Sequence, residues 1–320
     1  MLALTMGDPA GIAGEITAAA WRARTAPFVL FGDPDWMAGF DVPVEVVTDV
    51  AEAARVFGRM LPVIEVALAC PARSGKPDQT NAPAIIESIA RATRATLAGE
   101  TTAVVTNPIS KIVLQRAGFP HPGHTEFLAE LCGRPGSEVM MLASPMLRVV
   151  PVSIHLSLRE AVSALDTASI VRAARAADLA LRRDFGIARP RLAIAGLNPH
   201  AGEEGRMGDE ERVIIAPAIA ALRDAGIDAT GPYPPDTLFT ARMRANYDAA
   251  ICMYHDQALI PIKALDIDGG VNVTLGLPIV RTSPDHGTAF DIAGQGRAAP
   301  DSLLAALMLA DTLARHRAAS

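Results

Sequence analysis

The sequence predicts an α/β protein built around a largely parallel sheet. Short apolar, β-branched runs alternate with longer stretches of helical periodicity along the whole chain. The chain has 320 residues, 50% of them hydrophobic, which is core enough for one large domain or two medium ones. At this length two lobes with a cleft are expected.

Strands are expected over residues 2–6, 28–31, 44–47, 62–67, 103–106, 147–154, 191–197 and 249–254, each a short run rich in Val, Ile, Leu or Ala. Residues 81–97 read as a helix. Asn81 can cap it, Pro83 suits its first turn, Ile85, Ile86 and Ile89 share a face, and Gly99 stops it. Residues 167–183 and 209–225 read as two further helices, each followed by glycine. Pro300, Asp301 and Ser302 open a last helix running to about 315. No Gly/Ser-rich linker marks a boundary.

A net charge of −6 gives no electrostatic footprint for nucleic acid. No run of 18 apolar residues offers a membrane span. The start, MLALTMGDPAG, has no basic segment and meets Asp8 early, so no secretion signal is expected. Cys70, Cys132 and Cys252 are odd in number and far apart. They read as reduced thiols in a cytoplasmic protein, not as a disulfide frame or a zinc knuckle.

Three of the seven histidines follow apolar runs: His155 in VVPVSIHLS, His200 in RLAIAGLNPHAGEEG, and His255, with Asp256, in YDAAICMYHDQ. The C-terminal edge of an open α/β sheet is where ligands bind. Three neutral imidazoles with an open position make a catalytic metal set, whereas a lone histidine at a strand end is more often a hydrogen-bonded structural residue. Their spacing matches no local metal motif, and both readings stand. His124, Thr125 and Glu126 follow a Pro-Gly turn, and Asn107 and Lys111 lie just past the strand expected at 103–106. Lys263, Asn272 and Arg281 punctuate an otherwise apolar, Gly-containing stretch. Such cations suit anion recognition, or else they extend to a solvated surface. The opening MGDPAGIAGE is either a phosphate-type turn or a tight structural one, since it matches neither G-x-G-x-x-G nor a Walker motif.

With these residues assembled, the chain resembles the PdxA family of 4-hydroxythreonine-4-phosphate dehydrogenases. GDPAGI, TNPISK, PGHTEFLAE, GLNPHAGEEG, GPYPPDTLF, MYHDQ, GVNVTLGLPIVRTS and DHGTAFDIAG occur in the family's order over nearly the full chain. HGTAFDIAG, residues 286–294, also resembles the adenosine-binding loop of the isocitrate and isopropylmalate dehydrogenases. The resemblance implies a two-lobed α/β/α fold of the isocitrate/isopropylmalate dehydrogenase type, with the active site in the cleft between lobes. A first lobe is expected over 1–125 plus 281–320 and a second over 126–280.

The family's metal ligands fall on His155, His200 and His255, with Asp256 beside them as a catalytic candidate. Its substrate residues fall on His124, Thr125, Lys263, Asn272 and Arg281, and its cofactor loop on His286, Gly287, Thr288, Asp291 and Gly294. The implied activity is oxidation of 4-phosphooxy-L-threonine by NAD or NADP with a divalent metal (Zn, Co or Mg), in pyridoxal 5′-phosphate biosynthesis. The 3-keto acid formed would decarboxylate to 3-amino-2-oxopropyl phosphate. A homodimer with its active site at the subunit interface is implied as well. Where the family opening is close to PAGIGPE, this chain has PAGIAGE, so Ala13 and Gly14 predict a differently shaped turn. The rival readings are a sister dehydrogenase acting on 4-phospho-D-threonate, D-erythronate or a dihydrodiol acid, a metal-dependent phosphoester hydrolase, and a phosphate-metabolite binding protein.

Overall fold

The computed structural model describes residues 1–267 and 269–320. Twelve strands are formed among them: β1 (Leu2–Thr5), β2 (Phe28–Gly32), β3 (Val44–Val46), β4 (Leu61–Glu65), β5 (Val104–Val105), β6 (Val139–Ala143), β7 (Arg148–Pro151), β8 (Arg191–Ala195), β9 (Asp228–Tyr233), β10 (Ala249–Cys252), β11 (Val271–Leu275) and β12 (Arg281–Pro284). The fold is mixed α/β. The chain divides into two compact units, Met1–Glu138 with Leu277–Arg315, and Val139–Gly276 with His316–Ser320.

In the first unit the strand order is β3-β4-β2-β1-β5-β12, and every pair is parallel. β1 and β2 are buried along their whole length, as interior strands of a parallel sheet are when helices cover both faces. The helix Ala82–Leu97 supplies Ile85 and Ile89 to the core beside Val29, Phe31 and Val104. Asn81 holds the N-cap position, but its side chain does not cap. It is spent on Cys70, accepting from the backbone N–H at 3.1 Å and donating to the carbonyl at 3.0 Å. The expected boundary at 125/126 falls inside the helix His124–Leu131, whose Phe127 and Leu128 join this unit's core.

In the second unit the order is β11-β6-β7-β10-β8-β9. β7, β10, β8 and β9 run parallel, while β6 is antiparallel to both β7 and β11. Its core gathers Leu142, Val149, Ala193, Ala250, Cys252 and Ile262. The helix Thr167–Arg183 matches its expected range. The expected helix at 209–225 opens as a wide π turn, Glu211–Ile215, before continuing as Ala216–Asp224. The last helix runs past its expected end, from Asp301 to Ala319. Its final turn has a partner: Arg317 donates two bonds of 2.7 Å to the buried Asp184 carboxylate, which Arg183 also holds. Burial alone would raise the Asp184 pKa; the two guanidinium partners outweigh it and hold the carboxyl below its usual value. The three cysteines are free, with Cys252 buried and the other two partly so.

Candidate functional site

In the first unit the Gly-rich opening acts as a bracket. The Gly11 Cα lies so close to the Thr288 carbonyl that a Cβ would meet its oxygen at 2.6 Å. Ile12 N–H donates to that same oxygen at 3.1 Å. Three residues on, the Glu15 carboxylate accepts the backbone N–H groups of Gly294 (3.3 Å) and Gly296 (2.8 Å). The opening therefore clamps the 286–296 loop at both ends, and of the two readings of this motif the structural one describes its contacts. Ala13 and Gly14 do not distort a turn; they begin the helix Ala13–Ala23, where Gly14 makes room for the Phe40 ring. Sequence reasoning missed Glu15, an acidic residue in a helix's first turn and thus unremarkable by pattern.

The loop so held presents Gly287 to open space, with Asp291 exposed. His286 is half-buried, its Nδ1 lies 3.0 Å from the Gly287 carbonyl oxygen, and its Nε2 is buried without a hydrogen-bond partner.

A second cluster forms around the helix His124–Leu131. Gly123 occupies its N-cap and no side chain caps it, so the first-turn N–H groups of His124 and Thr125 lack that satisfaction. Arg281, at the start of β12, is 3% exposed and donates to Thr106 Oγ1 at 2.6 Å. Burial lowers its pKa to about 10, with the Glu126 carboxylate acting in the opposite sense, so it stays charged at neutral pH. Burial first, then the charges of Arg281 and Lys111, push the His124 imidazole well below 6.5. His124 is therefore neutral at physiological pH. The linkage sign follows: its stability contribution is complete above about 6.5, the unfolded value, and is lost as pH falls and the unfolded chain takes the proton first. A pH series of melting temperatures should show His124→Gln flattening the acid side of the stability profile; an unchanged slope would refute the assignment.

In the second unit the three histidines leave the C-terminal ends of three neighbouring parallel strands, β7, β10 and β8. His155 follows β7 with φ 56°, His200 follows β8 with φ 54°, and His255 opens the helix His255–Leu265 after β10. Left-handed backbone at a non-glycine residue is uncommon and concentrates at functional positions. His155, His255, Asp256, Ser153 and Tyr254 line one cavity of about 260 Å³. The His255 Nδ1 lies 2.7 Å from Asp256 Oδ1, which leaves Nε2 as the imidazole's outward atom. His200 is not among the residues that line this cavity. Among the described residues no three His, Cys, Asp or Glu side chains are placed to hold one ion, so a three-histidine metal does not fit a single chain. Lys263 is exposed in the last turn of the His255–Leu265 helix, and Asn272 is half-buried on β11.

Two supporting residues of this unit escaped the sequence reading. Buried Gln257 accepts from Met253 N–H and donates to the Gly196 carbonyl, both at 2.7 Å, tying the ends of β10 and β8 together. Buried Glu211 accepts the backbone N–H groups of Leu197 (2.8 Å) and Asn198 (2.7 Å), at the root of the loop that carries His200.

The family model described as pyridoxal phosphate biosynthetic protein PdxA matches residues 24–310. The chain belongs to the PdxA family. A 4-hydroxythreonine-4-phosphate dehydrogenase of Methylorubrum populi is 55% identical, over 99% of this chain and 95% of its own. A crystal structure of 4-hydroxythreonine-4-phosphate dehydrogenase from Klebsiella pneumoniae superposes with a TM-score of 0.88 at 38% identity, covering 98% of this chain and 99% of that one. A terephthalate 1,2-cis-dihydrodiol dehydrogenase from Burkholderia xenovorans reaches a TM-score of 0.67 at 32% identity, covering 97% of each chain. As a PdxA family member the chain is an oxidoreductase. No helix among the described residues is long and apolar enough to cross a membrane.

Proposed function

We propose that the chain oxidises 4-phosphooxy-L-threonine at C3 with a nicotinamide cofactor, giving a 3-keto acid that loses CO2 to form 3-amino-2-oxopropyl phosphate. The observation that carries this reading is the 55% identity, over almost the whole of both chains, with a relative of that name. The dihydrodiol-acid reading is retained as second, because its representative shares the fold at 32% identity.

The chemistry is assigned to named groups. Arg281, His124 and Thr125 hold the substrate's anionic end, and the family resemblance gives Lys263 and Asn272 substrate roles as well. A buried guanidinium and a neutral imidazole beside an uncapped helix terminus suit a phosphate or carboxylate. The residues of the 286–294 loop, chiefly His286, Gly287, Thr288, Asp291 and Gly294, hold the cofactor. The open face at Gly287 and the exposed Asp291 carboxylate fit a ribose and its phosphates approaching backbone. When bound, the nicotinamide accepts the hydride that leaves C3. The alcohol proton goes to a basic group of the cavity lined by His155 and His255. We assign it to the Asp256 carboxylate, which lines the same cavity and lies 2.7 Å from His255 Nδ1, leaving the outward nitrogen of His255 for the ion.

The divalent ion implied by the family would draw on His155, His200 and His255. Because one chain does not gather the three, a homodimer in which the copies complete each other's sites is part of this proposal. The deciding experiment offers the purified protein 4-phosphooxy-L-threonine, 4-phospho-D-threonate and a cis-dihydrodiol acid with NAD+ or NADP+, and follows reduced nicotinamide. Turnover confined to the first supports the reading. Preference for either of the others moves the chain to a sister specificity, and phosphate release without reduction would make it a hydrolase.

A further inference from the structure

Arg73 and Lys76 have no role in the function proposed above. They are the ends of a tight turn, Arg73-Ser74-Gly75-Lys76, and face each other across an isolated antiparallel bridge. Lys76 N–H donates to the Arg73 carbonyl at 3.0 Å. Gly75 has φ 73°, a left-handed conformation that glycine adopts without steric cost.

The turn is docked on the 286–296 loop. A Cβ at Gly75 would meet the Phe290 carbonyl oxygen at 2.9 Å, and a Cβ at Gly294 would meet Ser74 Oγ at 2.8 Å. Gly75 N–H also donates to the Ala10 carbonyl at 2.8 Å, so the Gly-rich opening that brackets the loop holds the turn too. Two cations are thereby fixed against a loop whose Asp291 lies between the two contact points.

Residues directly opposite in an antiparallel bridge share a face, with Cβ atoms about 4.5–5.5 Å apart, and like charges so placed repel. The nearby carboxylates do not offset this. Both cations are exposed, and among the described residues neither forms an ion pair. Asp78 is spent on Thr80 N–H, which it accepts at 2.9 Å. Glu15, Asp33 and Asp35 line a cavity of about 740 Å³ that includes Ser74 but neither cation. Exposed lysines and arginines usually serve only solvation. This pair differs in being set opposite each other on an anchored turn, where a bound anion would relieve the repulsion.

We propose that Arg73 and Lys76 bind the diphosphate bridge of the dinucleotide, as a second wall of the cofactor site. This rests on the cofactor role proposed for the 286–294 loop. From His286 to Gln295 that loop carries no lysine or arginine, so it has no permanent cation for a diphosphate. Its exposed Asp291 suits ribose hydroxyls and repels phosphate. The turn supplies the missing donors, one cation for each phosphate. Because Asp291 also disfavours a 2′-phosphate, the phosphates taken by the turn are those that NAD and NADP share.

The test titrates ADP, adenosine and 2′-AMP separately into the full-length protein, with binding followed by NMR. Wild type should bind ADP more tightly than adenosine, and added salt should shrink the difference. Arg73→Ala combined with Lys76→Ala should weaken ADP binding by roughly tenfold and leave adenosine binding unchanged. Gly75→Ala, which keeps both cations but drives the turn off the Phe290 carbonyl, should act in the same direction, and Lys76→Arg should largely retain ADP binding. Circular dichroism establishes that each variant is folded. The proposal is overturned if wild type binds ADP no better than adenosine, if the ADP advantage survives the double variant, or if that variant loses 2′-AMP instead of ADP. Adenosine reads the loop separately, and Gly287→Val should abolish its binding. Adenosine binding that ignores Gly287→Val removes the loop from the nucleotide site, while an ADP loss in the double variant still assigns the turn to phosphate.

Discussion

Arg281→Lys lowers kcat/KM for the phosphorylated substrate about ten- to a hundredfold, the expected result if the guanidinium reads the anion. The native group is buried at 3% exposure and spends one nitrogen on Thr106 Oγ1. A lysine at this position loses on two counts. Its ammonium is a point charge that cannot bond Thr106 and an anion with the geometry of a planar fork. Its intrinsic pKa also begins about two units lower than that of arginine, and the burial that already brings Arg281 down to about 10 would carry it toward the neutral amine. The loss should therefore be smaller at low pH, where the amine regains its proton. A non-phosphorylated substrate analogue should be poor with wild type and little worse with the variant. Equal losses for the two substrates would show that Arg281 is not reading phosphate, and the carboxylate end would become its partner.

Legibility differed between elements for physical reasons. The histidines of the second unit were readable because each follows a strand that is apolar on both faces, so the first ionisable side chain marks the strand's exit. β8, with Leu192 to Ala195 buried, is one such run, and β10 is another. β12 is the opposite case. Its four residues, Arg-Thr-Ser-Pro, are all buried, yet none except proline is apolar. Its burial is supported by specific polar bonds, Arg281 to Thr106 and Thr282 Oγ1 to the Ala306 carbonyl, which leave no trace in periodicity. β11 pairs antiparallel with β6, far away in sequence, and β6 pairs antiparallel with β7 in a hairpin, so neither belongs to a local strand–helix repeat that would announce it.

The site residues divide along the same line. The side chains proposed to meet ligand sit in motifs with unusual local composition, such as PGHTEF and MYHDQ. Side chains that hold those motifs in place do not. Glu15 reaches residues 294 and 296 across most of the chain length, and its identity as a clamp exists only in the folded structure. The same is true of Asn81, which looks like a helix cap and is a tie to Cys70.

The second large effect is expected at such a residue. Glu211→Gln should destabilise the protein by roughly 1.5–3 kcal/mol and loosen the loop that carries His200. Residues 200–204 all adopt left-handed backbone, with φ of 54°, 52°, 78°, 43° and 58°. Only Gly202 among them does so without steric cost; each other residue forgoes about 1–2 kcal/mol. Such a run persists only if its surroundings hold it, and Glu211 is the chief tie. One oxygen accepts both Leu197 and Asn198 N–H, and the other accepts the Asn198 side-chain amide at 2.9 Å. Gly202 lies so close that a Cβ would meet that second oxygen at 2.7 Å. Glutamine keeps the shape and one acceptor oxygen, but its NH2 then faces the Asn198 NH2, donor against donor. Denaturant unfolding gives the stability change, and amide hydrogen exchange at Leu197 and Asn198 locates it. If His200 serves the reaction, kcat falls in Glu211→Gln while the KM for the phosphorylated substrate stays near its wild-type value, since the anion contacts of the first unit are untouched. Faster exchange with unchanged kcat would mean that the loop is structural and that His200 takes no part in turnover.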